Sequence, residues 1–307
     1  MSSPRILILR GGAIGDFVLT LPAIQALRGR WPGAYIEVIG YPWIAELARA
    51  AGLIDEVVSL DKAEMARYFA LRADLTDEQK SYIRSFHFII SYLHDPAETV
   101  KGNIAGAGAQ QFMYGSPIVK TGHAIEHLMK PLEEIAIYPE GEPCPVLTLP
   151  DEHRRRGSER IGVIGERVAA IHPGSGSPRK NWPLERFVEL AGMVSDKGMA
   201  PMFVIGQAEV EIDRKLTGMR NEIPVLRGCS VVELAEALSA CAGYVGNDSG
   251  VTHIAAALGI PVVALFGPTD PAAWGPRGER VTILAAPERT TEGLASLATE
   301  DVLALLS

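Results

Sequence analysis

The chain has 307 residues, of which 47% are hydrophobic and 21% are charged. At roughly 150 residues per domain this length predicts two domains, and the composition excludes a disordered or fibrous chain. The formal net charge of −8 argues against a broad phosphate-neutralising surface, so nucleic acid is not expected as a partner.

Short β-type runs alternate with helical patterns in the first half of the chain. Residues 5–10 form a nearly continuous apolar run, which is typical of a parallel strand buried on both faces. A glycine-rich turn follows, and residues 16–28 have apolar positions at helical spacing. Further strands are predicted at residues 35–39, 56–60 and 86–91. This alternation predicts a doubly wound α/β sheet.

The composition changes between residues 138 and 158, where four prolines precede a charged stretch. We predict a linker at 146–158 that joins an N-terminal domain, 1–145, to a C-terminal domain, 159–307. Strands are then predicted at 168–172, 201–205, 243–245 and 261–266, and helices at 184–195, 231–239 and 252–258. Two such halves predict a ligand-binding cleft between them.

The first predicted strand is followed by a glycine-rich turn and Asp16. A dinucleotide fingerprint would need glycine where Arg10 stands, so this turn does not predict a dinucleotide site. Asp16 is instead a candidate functional carboxylate or a plain helix N-cap.

The loop after the strand at 168–172 suits a phosphate group. Gly174 and Ser175 allow exposed backbone N–H groups, and Arg179 and Lys180 add positive charge. The alternative is a surface loop with two solvated cations.

A third loop, residues 246–253, leads into an alanine-rich helix. The N–H groups of Ser249 and Gly250 could hold a diphosphate at the start of that helix. Asp248 either contributes to this site or caps the helix.

Two weaker patterns remain open. His123-Ala-Ile-Glu126-His127 matches the order of inverted zinc peptidases, but no third ligand is evident and we expect no metal. His94 and Asp95 are either an acid/base group or a turn.

Three cysteines without a CxxC pair fit a reducing compartment. The apolar run near the N-terminus is too short for a signal peptide, and the longest apolar stretch, 254–266, is interrupted by Gly259 and Pro261. We therefore predict a cytoplasmic protein with at most transient contact with the inner face of a membrane.

Taken together, the motifs resemble those of the ADP-heptose:lipopolysaccharide heptosyltransferases, glycosyltransferase family 9. The matching segments are Ile14-Gly-Asp16 with Leu19-Thr-Leu-Pro22, His172-Pro-Gly with Lys180-Asn-Trp-Pro183, and the block 246–253 with Leu265-Phe-Gly-Pro-Thr269. The resemblance implies a GT-B fold of two Rossmann-like domains facing a central cleft. The N-terminal domain would bind the acceptor and the C-terminal domain the nucleotide-sugar.

The resemblance further implies an inverting, metal-independent glycosyltransferase that needs no cofactor beyond its nucleotide-sugar co-substrate. The donor would be ADP-heptose and the acceptor a lipopolysaccharide core or another glycan, free or lipid-linked. Asp16 would be the general base and Lys180 would neutralise the donor diphosphate. The other implied donor-binding residues are Gly174, Ser175, Glu209, Asp248, Ser249, Gly250 and His253, with Glu211 as the alternative to Glu209 for the ribose. A nucleotide-sugar epimerase on the same scaffold and a non-catalytic nucleotide-binding protein are the competing hypotheses.

Overall fold

The computed structural model describes residues 3–219 and 222–306, so the ends of the predicted domains (1–2 and 307) lie outside the described residues. The chain divides into two compact units, Met1–Pro143 and Cys144–Ser307. Across the described ranges, no helix combines the length and apolarity needed to cross a membrane.

The N-terminal unit is built on a parallel sheet. Its strands are β1 (Arg5–Leu9), β2 (Tyr35–Gly40), β3 (Glu56–Ser59), β4 (Phe88–Ser91) and β5 (Phe112–Tyr114). Its helices are α1 (Ile14–Val18), α2 (Leu21–Arg30), α3 (Pro42–Ala50), α4 (Ala66–Phe69), α5 (Asp77–Arg84), α6 (Thr99–Gly106) and α7 (Ala124–Met129), with 3₁₀ turns at Ala63–Met65 and Lys130–Ile135.

The strand order of this sheet is β3-β2-β1-β4-β5, and every pairing is parallel. The chain winds in one direction from β1 to β3 and in the other from β4 to β5. The reversal therefore falls between β1 and β4, where open α/β sheets place their ligands. The loop after β1 that carries Asp16 emerges at this point.

The C-terminal unit repeats the plan with six strands. These are β6 (Val168–His172), β7 (Ala200–Ile205), β8 (Val225–Arg227), β9 (Gly243–Asn247), β10 (Val262–Phe266) and β11 (Val281–Ala285). Its helices are α8 (Asp151–Gly162), α9 (Leu184–Asp196), α10 (Val210–Gly218), α11 (Val231–Ser239), α12 (Gly250–Ala257), α13 (Pro271–Trp274), α14 (Thr291–Ala295) and α15 (Thr299–Leu305), with a 3₁₀ turn at Pro178–Lys180.

The order of the second sheet is β11-β10-β9-β6-β7-β8, again fully parallel. Its winding reverses between β6 and β9, and both strands are buried along their whole length. One face of helix α9 packs on this sheet. The buried residues of that face recur at helical spacing and are Phe187, Leu190, Ala191 and Val194. The predicted class, two doubly wound α/β halves, is confirmed.

Two details differ from the sequence prediction. The sequence predicts one helix at 16–28, whereas the structure has two in this segment: α1 ends at Val18 and α2 begins at Leu21. Strands β5, β8 and β11 are edge strands of the two sheets, and the sequence pattern does not predict them. Their mixed burial gives neither a continuous apolar run nor a clean alternation.

Helix α8 follows the prolines and packs tightly on α11. A Cβ atom on Gly157 would lie 1.9 Å from the carbonyl oxygen of Glu236, so the two backbones touch at this glycine. The Glu236 side chain is 3% exposed, and its Oε1 accepts a hydrogen bond from Arg156 Nε (2.8 Å) and lies 2.7 Å from His153 Nδ1 on α8. Upstream, the amide of Leu147 donates to the carbonyl oxygen of Ala257 at 2.7 Å.

Candidate functional site

Asp16 lies in the first turn of α1, just beyond the carboxyl end of β1. Its Oδ2 accepts a hydrogen bond from the amide of Ala13 at 2.9 Å, and its side chain is 36% exposed. Gly12 has φ +97°, and a Cβ atom there would lie 2.7 Å from Oδ2. The turn thus needs glycine for both its conformation and the room it gives the carboxylate. Asp16 thus accepts a hydrogen bond from the amide of the residue that caps α1 and still presents its carboxylate to solvent.

Arg10 lies beneath Asp16 and is 4% exposed. Its Nη2 donates to the carbonyl oxygen of Asp16 at 2.6 Å and lies 3.8 Å from Oδ1 of the same residue. Burial lowers the pKa of the Arg10 guanidinium, and the negative charge of Asp16 opposes that shift. In the sequence, Arg10 stands out only as the residue that breaks a glycine fingerprint, and its place under Asp16 has no local signal.

Asn247, at the end of β9, organises the loop after β6. It is fully buried, its Oδ1 accepts from the amide of Trp182 at 2.9 Å, and its Nδ2 donates to the carbonyl oxygen of Pro173 at 2.9 Å. One side chain thereby holds both ends of the loop that contains Gly174, Ser175 and Lys180. Nothing in the sequence of the 246–253 loop indicates this role for Asn247.

Lys180 and Asp248 form an ion pair across the reversal point of the second sheet. The distance from Nζ to Oδ2 is 3.0 Å, with the Lys180 side chain 29% exposed and that of Asp248 8% exposed. Ser175 lies in the same loop, with its Oγ 2.6 Å from Oδ1 of Asn181. The structure therefore brings Lys180, Asp248 and Ser175 to one edge of the C-terminal sheet.

Ser249 is the N-cap of α12, since its Oγ accepts from the amide of Thr252 at 3.3 Å. Gly250 is the first helical residue. His253 is buried one turn further along, and its amide donates to the carbonyl oxygen of Ser249 at 3.3 Å. In this helix start Ser249, rather than Asp248, supplies the cap.

Glu209 and Glu211 occupy different surroundings. The carboxylate of Glu209 accepts from the amide of Gly206 at 2.5 Å, and its Cγ lies 2.4 Å from where a Cβ atom on Gly174 would be. Glu211 instead pairs with Arg214 at 2.7 Å on an exposed helix surface. Only Glu209 is held against the loop after β6.

His172, the last residue of β6, is buried beneath these loops, and its Nδ1 lies 2.9 Å from the carbonyl oxygen of Val204. Burial lowers its pKa, and the charge of Glu209 acts in the opposite direction. A neutral ring whose Nδ1–H donates to Val204 accounts for both observations.

His94 and Asp95 follow β4. Asp95 accepts from the amides of Thr99 (2.8 Å) and Lys101 (3.0 Å) at the start of α6, so its carboxylate caps that helix. His94 is exposed beside it.

The segment that matches the zinc-peptidase motif has structural partners instead. His123 Nδ1 accepts from the amide of Ile125 at 3.2 Å, and His127 Nε2 lies 2.8 Å from the carbonyl oxygen of Ser116. Within residues 3–219 and 222–306, no three His, Cys, Asp or Glu side chains are grouped so that they could hold a metal ion.

Comparison with known proteins shows what class of protein this fold and these loops define. The family model for glycosyltransferase family 9 (heptosyltransferase) matches residues 101–301. Lipopolysaccharide heptosyltransferase 1 of Escherichia coli strain K12 is 23% identical, over 99% of this chain and 99% of that protein.

Two solved structures share the fold. A family 9 glycosyltransferase from Veillonella parvula is 22% identical with a TM-score of 0.82, covering 99% of this chain and 96% of that one. The E. coli heptosyltransferase WaaC with ADP is 19% identical with a TM-score of 0.74, covering 97% of each chain.

The molecule is thus a glycosyltransferase with two doubly wound units. The chain belongs to glycosyltransferase family 9, the heptosyltransferase family. The predicted family, GT-B fold class and enzyme class are confirmed.

Proposed function

We propose that this protein transfers heptose from ADP-heptose to a lipopolysaccharide core, with inversion at the anomeric carbon and without a metal ion. Relatives of similar length are named lipopolysaccharide heptosyltransferases, and one solved relative contains ADP. The observation that carries the proposal is the Lys180–Asp248 pair at the β6/β9 reversal, since it puts a cation and polar loops where α/β sheets bind nucleotides.

In this proposal the C-terminal unit binds the donor. Lys180 and the N–H groups at the start of α12 bind the diphosphate. Gly174 and Ser175 line the phosphate side of the loop, and Glu209 accepts hydrogen bonds from the ribose hydroxyls. Asp248 orients Lys180 through the ion pair and, with His253, borders the sugar.

The N-terminal unit binds the acceptor, and Asp16 is the general base. Its carboxylate takes the proton from the acceptor hydroxyl, whose oxygen bonds to the anomeric carbon on the face opposite the diphosphate. The bond from that carbon to the diphosphate breaks, and ADP leaves with the electron pair. Lys180 stabilises the charge that grows on the leaving diphosphate, so it favours the transition state over the ground state.

The kind of glycan acceptor, free or lipid-linked, determines where in the cell the reaction takes place. We place it in the cytoplasm, with transient contact at a membrane surface when the acceptor is lipid-linked.

Calorimetric titration with ADP, UDP and GDP tests the donor site. We expect selective ADP binding that weakens about 10–100-fold in Lys180→Ala, which corresponds to about 1.4–2.8 kcal/mol. Lys197→Ala is the matched control, since it removes the same charge from an exposed position at the end of α9 in the same unit and should retain ADP affinity. Absence of binding by all three nucleotides would refute the donor assignment.

Asp16→Asn tests the general base. Turnover of ADP-heptose with deacylated, heptose-deficient lipopolysaccharide should fall by about 10²–10⁴-fold, while ADP affinity and melting temperature stay unchanged. Asp74→Asn, at a fully exposed carboxylate of the same unit, is the control. Asp16→Asn with activity within about threefold of wild type, less than any general base contributes, would exclude Asp16 as the base.

A further inference from the structure

We propose that Arg10 is the positioning residue for Asp16 and fixes the orientation in which that carboxylate receives the acceptor proton. This inference rests on the proposed role of Asp16 and adds the residue through which the fold controls it. Arg10 is itself buried, so it acts through Asp16 rather than on the substrate.

The contacts of Arg10 explain how it controls Asp16. Its Nη2 holds the main-chain oxygen of Asp16 at 2.6 Å, and Thr20 Oγ1 donates to the same oxygen at 2.8 Å. These two donors fix the backbone of the turn that carries the carboxylate. A guanidinium suits this role because its donors have a rigid planar geometry.

The two carboxylate oxygens of Asp16 have different partners. Oδ2 accepts from the amide of Ala13 at 2.9 Å, whereas Oδ1 faces Arg10 Nη2 at 3.8 Å. The plane of the carboxylate is thereby defined from both sides. The remaining acceptor positions are free to meet a hydroxyl from the exposed side, which is the geometry that a general base needs.

Arg10 is itself held by Tyr92, which directly follows β4 on the other side of the sheet reversal. Its Nη1 lies 3.5 Å from the carbonyl oxygen of Tyr92, and its guanidinium carbon lies 5.9 Å from the centre of the Tyr92 ring. Tyr92 is fully buried and its hydroxyl donates to the carbonyl oxygen of Leu128 at 2.8 Å. Arg10 therefore ties the β4 edge of the reversal to the Asp16 turn.

Arg5, at the opposite end of β1, isolates what is particular to Arg10. Both residues have a buried Nε with no partner within the described part of the chain, so that feature alone does not mark a functional residue. Arg5 stacks on the rings of Tyr35 (4.2 Å) and Phe86 (5.1 Å), far along the strand from Asp16. It is a matched control at the other end of β1, since Arg10 directly follows the last residue of that strand.

The experiment measures kcat, KM and ADP affinity for Arg10→Met, Arg10→Lys, Asp16→Asn and the Arg10→Met/Asp16→Asn double variant. The substrates are ADP-heptose and deacylated, heptose-deficient lipopolysaccharide. We expect Arg10→Met to lower kcat by about 10–100-fold, as a misplaced catalytic group does, with the ADP dissociation constant within about twofold of wild type. Arg10→Lys should recover part of the lost kcat, and Arg5→Met should leave it unchanged.

The double variant separates positioning from a general loss of structure. If Arg10 acts through Asp16, the double variant turns over at about the rate of Asp16→Asn alone, because residues that act as a unit are not additive. Multiplying losses, or wild-type kcat in Arg10→Met, would overturn the inference.

The single variants distinguish failure of the proposed general base from failure of the positioning role of Arg10. Full activity in Asp16→Asn would refute the proposed base, whereas loss in Asp16→Asn with none in Arg10→Met would refute only the positioning role. Should Arg10→Met not fold, Arg10→Lys carries the test through its kcat and its combination with Asp16→Asn.

Discussion

Replacing Asn247 by alanine should loosen the loop that the proposed donor contacts. The change leaves the amide of Trp182 and the carbonyl oxygen of Pro173 without their partners, both at 2.9 Å in the structure. A buried polar group that loses its partner costs about 1–3 kcal/mol, so the two together should lower the free energy of unfolding by about 2–6 kcal/mol. ADP affinity should fall as well, because the loop must then be ordered on binding.

Equilibrium unfolding in urea and calorimetric titration with ADP measure the two effects of Asn247→Ala. Asn103→Ala is the control, since the Asn103 side chain also bridges two main-chain groups, the carbonyl oxygens of Tyr68 (2.9 Å) and Ala70 (2.8 Å), but in the N-terminal unit. It should reduce stability without changing ADP affinity. Asn247 does not hold the loop if the free energy of unfolding of Asn247→Ala lies within about 0.5 kcal/mol of wild type, the range of neutral surface substitutions, and the variant binds ADP equally well.

Three further outcomes are expected. Gly174→Ala should weaken ADP binding about tenfold in a calorimetric titration, about 1.4 kcal/mol, because the added Cβ atom displaces Glu209. In the control Gly176→Ala the added Cβ atom has no neighbour within 4 Å, so ADP should bind as in wild type. Equal ADP affinities of the two variants would contradict this expectation. The low pKa of buried His172 means that unfolding takes up a proton below about pH 6.5, the usual histidine pKa. The free energy of unfolding should therefore decrease as the pH is lowered below this value, by at most about 1.4 kcal/mol per pH unit. Urea unfolding of His172→Gln at a series of pH values should lack this part of the pH dependence. Asp95→Ala removes the cap of α6 and should lower the free energy of unfolding by about 0.5–2 kcal/mol without changing kcat, an outcome that a catalytic Asp95 would not give.

The positions of the loops could be predicted from sequence because they depend on local signals. Buried parallel strands give continuous apolar runs, and the small residues that follow β1, β6 and β9 mark their carboxyl ends. The order of strands in a doubly wound sheet then brings the β6 and β9 loops together. Lys180 and Asp248 meet in this way although they are distant in the chain.

Residues whose role depends on tertiary contacts could not be identified in the same way. Arginine is seldom buried, so nothing in the local sequence marks Arg10 as lying under Asp16. The choice between Glu209 and Glu211 likewise depends on contact with Gly174, a residue far away in the chain. The break between α1 and α2, by contrast, has a local signal that the apolar spacing of 16–28 conceals, because Pro22 in the first turn of α2 lacks the N–H that an unbroken helix would need.

The contact between α8 and α11 has a consequence for how the C-terminal unit can be produced in isolation. A fragment that begins after α8 would lose Arg156 and His153 and leave the buried Glu236 carboxylate uncompensated, which is strongly destabilising. It would also uncover the α11 backbone against which Gly157 packs. A fragment that begins at Cys144, the first residue of this unit, would keep these contacts and the Leu147 hydrogen bond, and is the form in which the donor loops should be studied alone.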